Sequence, residues 1–496
     1  MIKVNSYLLV CFSAILTGVA QHSLGLGFLA WISLIPLLHV IVKQSNYKNI
    51  FQYSLLWGVV YHLVVVFWLS SNIGTTSIIA FISMLAAVLI LCFNTIAIFS
   101  LWFFIKNKIK FNLIVLSIIW VSVEYLRSYG LLGFPWVALA NTQTDYLYLI
   151  QNAEFVGIYG ISFWVLLVNI FFFNVINHNF KNRKLYITFF LIILPWFSGY
   201  ILFNKYNIES PDEGLSTLLV QPNVNLYDKR DFSSKEQTLD KIIKMTHDNL
   251  SIDTKLILWP ESAMPFHRMQ STRDRNYLID RLFKQDGSYL LSGNIFYEGS
   301  NIYNSSVLVS NNGIESVYHK RQLVPIAEHV PFSENFDYLK NINIGQTNFS
   351  KGKKDHVFNI DQYRFAALIC FESTFPEINR RHANQDIDAI IYLVNDGWYT
   401  TFPQPGQHSK QAVFRAIENR LPIIRCTNTG ISMLINPNGS IQESIGLNKA
   451  GTMHVKINKN KYEKTFYTRF GNVFSIVLLV FLILLLIRLN FRNEKK

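Results

Sequence analysis

The chain has 496 residues, half of them hydrophobic and only 16% charged, with a formal net charge of +13. The basic residues form no basic–aromatic array, which argues against a nucleic-acid partner, and four cysteines are too few for a disulfide scaffold. The length would allow two or three soluble domains, but the apolar residues fall into long runs before about residue 204 and after 471, with a mixed, globular composition between them.

A helix needs about 20 mainly apolar residues to cross the hydrocarbon core of a bilayer. Seven candidate stretches precede the middle region: 6–22, 26–42, 51–70, 77–104, 112–129, 155–177 and 185–203. The fifth carries Glu124 and Arg127. An eighth, 472–489, contains the unbroken apolar run from Ile476 to Ile487. Lys3 ahead of the first run, with small Ala20 near its end, would suit a cleavable signal peptide. The hydrophobic block continues past it, so we read an uncleaved signal-anchor. Cys11 and Cys92 fall within spans and read as small apolar residues.

Orientation follows the basic residues between spans. One set of connections holds Lys3, Lys43, Lys48, Lys106, Lys108, Lys110, Lys181, Arg183 and Lys184, and the tail adds Arg492, Lys495 and Lys496. The alternate connections at 21–25 and 71–76 hold neither Lys nor Arg. The basic set is expected in the cytoplasm. Seven crossings then place residues 205–470 outside, and the eighth returns the tail. The expected organisation is a membrane domain over 1–204, an outer domain over 205–470, and a last span with a tail over 471–496.

Within 205–470 short apolar segments alternate with amphipathic ones. Strands are expected at Ser216–Val220, Lys255–Trp259, Ser288–Ser292, Tyr303–Val309, Arg364–Cys370, Ala389–Val394, Pro422–Cys426 and Ile431–Ile435. Several are apolar throughout, which suits strands covered on both faces. One helix is expected to open at Ser233 with Glu236 as a capping box, continuing with Leu239, Ile242, Ile243 and Leu250 on one face. Another is expected over Gln407–Arg420. The class is α/β.

Polar residues stand where these strands end, the usual place for sites on such sheets. Leu256–Trp259 runs into Pro260, Glu261 and Ser262. Phe365–Ile369 runs into Cys370, Phe371 and Glu372. Between them lies a charged, proline-containing stretch from Tyr318 to Phe332 that holds Lys320 and Glu328. A carboxylate, an ammonium and a thiol supply a base, an oxyanion partner and a nucleophile. Each residue also has a plainer reading: Glu261 as a helix cap, Lys320 as a solvated charge, Cys370 as a buried structural thiol. Cys370 and Cys426 would be able to pair in an oxidising compartment. His319, His329, His382 and His408 show no close zinc-ligand spacing, and no cofactor is expected.

The order Glu261, Lys320, Cys370 resembles the catalytic set of the carbon–nitrogen hydrolase (nitrilase) superfamily. Asn395–Tyr399, Gln407-His408, Arg415–Glu418, Arg425–Gly430 and the hairpin at Pro437–Gly439 resemble the rest of that domain. A closer resemblance is to its membrane branch, the apolipoprotein N-acyltransferase family. Ala30-Trp31, Pro36–Leu38, Glu124–Arg127, Gly133–Trp136, Gly157–Ser162, Val220–Asn223, Leu323–Pro325 and Glu328–Pro331 carry it. The chain departs from the usual pattern at Pro222, Arg230, Ile326-Ala327 and Phe371.

The resemblance implies about eight transmembrane helices and a nitrilase-like α-β-β-α sandwich on the periplasmic side of a bacterial inner membrane, with both termini cytoplasmic. It implies that Cys370 takes an acyl chain from a phospholipid such as phosphatidylethanolamine, as a thioester. The α-amino group of a diacylated apolipoprotein then receives it. Glu261 is implied as general base, Lys320 as oxyanion partner, and a neighbouring cation is expected to lower the thiol pKa. Glu328 is implied as an auxiliary glutamate orienting Lys320, and Glu372 and Phe371 as supports of the nucleophile. Trp398 and Tyr399 are candidates for lining the acyl route. Two other readings stay open: a membrane-anchored amidase that uses water as acceptor, and a non-catalytic receptor or transporter.

Overall fold

The computed structural model describes residues 5–177, 182–206, 213–225, 235–264, 268–283, 287–330, 348–399 and 401–493. Lys3, Lys181, Arg230, Ser233, Pro331, Phe332, Lys495 and Lys496, which entered the expectations above, lie outside them. The chain divides into two compact units. One comprises 1–71, 77–205 and 470–496; the other comprises 72–76 and 206–469.

The first unit is helical. Among the described residues five helices are long and apolar enough to cross a membrane: Tyr47–Ser71, Ser77–Lys106, Ala153–Ile176, Leu185–Lys205 and Val473–Phe491. The other three expected spans fold as shorter pieces. Ser6–Ala20 has 15 residues and Asn112–Arg127 has 16. The stretch 26–42 is interrupted: a 3₁₀ turn, Gly27–Trp31, gives way to the helix Ile35–Ile41, which opens on Pro36. Proline lacks the N–H that would continue the earlier turn. The interruption strands Ala30 O and Leu34 N. The Asn169 side chain takes up both, donating to Ala30 O at 2.7 Å and accepting from Leu34 N at 2.9 Å. Irregular backbone away from water persists only where protein satisfies it in this way.

The second unit is built on two six-stranded sheets. The first contains β1 (Leu215–Gln221), β2 (Leu256–Trp259), β3 (Tyr289–Glu298), β4 (Asn301–Ser310), β5 (Gly313–His319) and the late strand Gly451–Ile457. The second contains β6 (Phe358–Ile360), β7 (Tyr363–Ile369), β8 (Ala389–Val394), β9 (Ile423–Thr427), β10 (Ser432–Ile435) and β11 (Ile441–Ile445). With the late strand as β12, the orders are β12-β1-β2-β3-β4-β5 and β11-β10-β9-β8-β7-β6.

Alternation along each strand assigns its two faces. Leu218 and Val220 of β1, and Ile257 and Trp259 of β2, pack with Leu239, Ile242 and Ile243 of the helix Lys235–Asn249 and Leu278 of the helix Thr272–Leu282. The opposite face meets the second sheet, where Thr427 Oγ1 donates to Gln221 Oε1 at 2.7 Å and Ser306 Oγ donates to Ala367 O at 3.1 Å. Helices Pro376–Ala383 and Gln404–Asn419 accompany the second sheet. The layers run α-β-β-α. Cys426 is buried in the seam between the sheets against Val220 O and Leu258 O, and all four cysteines are free thiols. The pairing considered for Cys370 and Cys426 does not occur.

Candidate active site

Three strand ends converge. The chain leaves β2 through Pro260 into Glu261, which is 4% exposed. Gly293 of β3 lies alongside: a Cβ there would stand 2.6 Å from the Glu261 Cα, so the close approach needs glycine. Lys320 follows β5 and is fully buried, with its N–H donating to Asn304 O at 2.8 Å. Cys370 follows β7 and opens a 3₁₀ turn through Thr374 with φ of 49°. A non-glycine residue rarely adopts that conformation, and such strain persists only where the surroundings enforce it.

Glu372 does much of the enforcing. Fully buried, it accepts through Oε1 from Tyr318 Oη at 2.7 Å, Arg321 N at 2.7 Å and Gln322 N at 3.2 Å. Its Oε2 accepts from Ile369 N at 2.9 Å. One carboxylate thus ties the start of the Cys370 turn to the Lys320 segment. Phe371 is buried edge-to-face against Phe375, with ring centroids 5.0 Å apart.

The Lys320 ammonium donates to Glu328 Oε1 at 2.8 Å and stands 3.7 Å from Glu261 Oε1. Asn304 Nδ2 donates to both carboxylates, at 2.8 Å to Glu261 and 3.1 Å to Glu328. Glu261 Oε2 accepts from Asn395 N at 3.0 Å, and Glu328 Oε2 from Val324 N at 2.9 Å. The Cys370 thiol and the Glu261 carboxylate interact electrostatically.

Burial raises the Glu261 pKa above the usual carboxylate range; Lys320 opposes the shift and Glu328 adds to it. Burial works to depress the Lys320 ammonium, but the Glu328 and Glu261 carboxylates outweigh it and hold the ammonium charged. Although Cys370 keeps partial exposure as a residue, burial of its thiol and the Glu261 charge push its pKa well up, and Lys320 only partly offsets them. The expectation of a thiol lowered by a neighbouring cation is therefore corrected. The cation is present, but the carboxylates of Glu261, Asp396 and Glu328 and a dry environment outweigh it.

A second buried group braces Cys370 from behind. His408 Nδ1 is 2.7 Å from Asp396 Oδ1, and its Nε2 is 3.0 Å from Ser373 Oγ and 3.2 Å from Cys370 O. Arg425 Nη2 donates to Asp396 Oδ2 at 2.8 Å. Gly430 leaves room for that oxygen, which a Cβ would strike. Burial works to raise the Asp396 pKa, but Arg425 and His408 outweigh it and hold the carboxyl well below the usual range. Asp396→Asn strands a buried guanidinium and is expected to cost about 3–5 kcal/mol, read as a lower thermal midpoint of the detergent-purified protein. Because the folded pKa is depressed, this stabilisation is complete above the unfolded value of about 3.9. It is lost as pH falls through the folded value, so the variant and parent should converge only in strong acid.

The structure brings Glu261, Lys320, Glu328, Cys370 and Glu372 into one network. Trp398 and Tyr399 lie in the turn after β8, three and four residues beyond the Asn395 that holds Glu261 at its near end, and are half-buried. The roles of Asn304, Asp396 and His408 were not anticipated. Nothing set Asn304 apart in its strand, where Ser305 and Ser306 are polar as well. Among the described residues the four histidines considered for zinc do not converge. His319 meets Ser305 and Glu298, and His382 meets Ile378 O.

Residues 219–467, half of the chain, match the family model described as carbon-nitrogen hydrolase. Residues 13–171 match the apolipoprotein N-acyltransferase N-terminal domain. Relatives named apolipoprotein N-acyltransferase align along most of the length. That of Geobacter metallireducens is 27% identical, over 95% of this chain and 92% of its own. That of Rickettsia prowazekii is 28% identical, over 90% and 91%, and that of Haemophilus influenzae 28%, over 88% and 86%. With both parts matched in one polypeptide, the chain belongs to the apolipoprotein N-acyltransferase family, the membrane branch of the carbon–nitrogen hydrolases.

Proposed function

We propose that this protein transfers an acyl chain from a membrane phospholipid such as phosphatidylethanolamine to the α-amino group of the N-terminal diacylglyceryl-cysteine of an apolipoprotein. The observation that carries this reading is the buried Lys320 ammonium shared by Glu261 and Glu328, with the Cys370 thiol beside Glu261. The names of the relatives point to the acceptor.

The thiol starts protonated. As Sγ bonds to the ester carbonyl carbon, its proton passes to Glu261, and the oxyanion is stabilised by the Lys320 ammonium. The ester C–O bond breaks, Glu261 returns the proton to the departing lysophospholipid oxygen, and a thioester remains on Cys370. The acceptor amine then forms the C–N bond as the C–S bond breaks, and its proton returns through Glu261 to the sulfur. Glu328 orients Lys320, Glu372 and Phe371 support the nucleophile turn, and Trp398 and Tyr399 line the acyl route.

We place the membrane domain at 1–204, the catalytic domain at 205–470 and the last span at 471–496. All eight apolar stretches cross, the three short ones completed by irregular backbone that side chains such as Asn169 satisfy. The distribution of Lys and Arg puts the catalytic domain on the periplasmic side of the inner membrane and both termini in the cytoplasm. Anchoring suits lipid substrates, because each methylene drawn from the bilayer costs about 0.8 kcal/mol.

Peptide mass spectrometry of the full-length protein, supplied with phospholipid but no acceptor, tests this. An acyl mass on the Cys370 peptide is expected, released by neutral hydroxylamine and absent from Cys370→Ala. A diacylated lipopeptide should discharge it to an amide. Discharge by water at the same rate would make the protein an amidase, and no acyl mass would remove the first step altogether.

A further inference from the structure

The turn after β8 carries an attachment that this reaction scheme leaves unused. At its near end Asn395 N holds Glu261 Oε2. At its far end Tyr399 Oη accepts from Asn72 Nδ2 at 3.1 Å, and Trp398 O accepts from Ile73 N at 3.1 Å. Residues 72–76 are the connection between the apolar helices Tyr47–Ser71 and Ser77–Lys106, yet they group with the second unit.

The orientation of Asn72 is fixed. Its Oδ1 accepts from Gly74 N at 2.7 Å. A backbone N–H can only donate, so the amide oxygen must face Gly74 and the Nδ2 group must face Tyr399. Tyr399 itself lies within electrostatic reach of Cys370 and Glu328. A five-residue turn is thus fastened at one end to the Glu261 carboxylate and at the other to a segment more than 300 positions earlier in the chain.

We propose that Asn72 is a positioning residue for the acyl-transfer reaction, holding Tyr399 and, through the turn, keeping the Asn395 N–H on Glu261. The proposal rests on Glu261 as the general base. An N–H donated to a carboxylate favours its ionised form, so loosening the turn raises the affinity of Glu261 for its proton. The acid limb of thioester formation then moves to higher pH.

The test follows thioester formation against pH by rapid quench in the full-length protein, with phosphatidylethanolamine vesicles as donor. Asn72→Ala and Tyr399→Phe are each expected to slow the step about five-fold, the equivalent of one neutral hydrogen bond. Both should move the acid limb upward. The double variant should be no slower than the slower single one, because both remove the same bond. Asn72→Asp should restore the rate, since its carboxylate still accepts from Gly74 N and takes a hydrogen bond from the Tyr399 hydroxyl. Multiplying penalties in the double variant would overturn the proposal. So would an unmoved limb, whether the rate holds or only the thermal midpoint falls. A parent protein that forms no thioester would bring down the reading of function, and this proposal with it.

Discussion

Glu261→Gln is expected to slow thioester formation by about 10²- to 10⁴-fold, the usual contribution of a positioned base. The substitution is nearly isosteric, and the amide oxygen can still accept from Asn304 Nδ2 or Asn395 N. It cannot take a proton from a thiol whose pKa burial has raised. The pH profile is the sharper readout. The proposed mechanism requires ionised Glu261, so the parent's rate should fall as pH drops through the folded pKa, which burial places above the ordinary carboxylate value of about 4.3. That acid limb should vanish in the variant. A limb that persists at the same pH would assign the base to another group.

Lys320→Met should damage both rate and stability. The side chain is fully buried between two carboxylates, and Met has similar length without charge. Without the ammonium, the oxyanion loses its cation, a loss on the order of 10²- to 10³-fold. Two like charges also remain on one Asn304 amide, and one of them takes up a proton. Stability should fall by about 3–5 kcal/mol, as for other broken buried pairs. The stranded carboxylates then have folded pKa values above their unfolded ones, so the penalty is complete above the folded value and shrinks as pH falls through it. Thermal unfolding at two pH values checks the sign. Lys320→Arg should not restore the rate, because a planar fork does not replace a point charge in this space.

What was legible in the sequence followed from burial. The eight strands expected from apolar runs are interior strands, covered on both faces. β5, β6 and β12 were not expected, and β11 was foreshadowed only by the hairpin at Pro437–Gly439. These four are the two edges of each sheet. In β12 buried and exposed positions alternate, and β11 is largely exposed, so neither shows a continuous apolar run. Glu261 and Cys370 were legible because strand ends position polar groups, and Lys320 because it stands in the charged stretch between them. Asn304 was not, since its partners lie 24 and 43 residues away and no local period encodes such a pairing. The stretch 26–42 was overestimated because hydropathy counts apolar residues and does not register where Pro36 interrupts the backbone.

The pairing of β1 with β12 has a consequence for biogenesis. Leu215 lies opposite Ile457, whereas the second sheet draws all its strands from 358–445, nested between those two. As the polypeptide emerges, β1 can join β2 early, but its other edge stays bare until some 240 further residues have been delivered. The nested sheet has the shorter loops to close and is free to form first. Long-range pairing is slow, and an open apolar edge invites the wrong neighbour. Final closure of the first sheet is therefore the step of maturation most exposed to aggregation, and the one at which a chaperone on the same side of the membrane would have most to do.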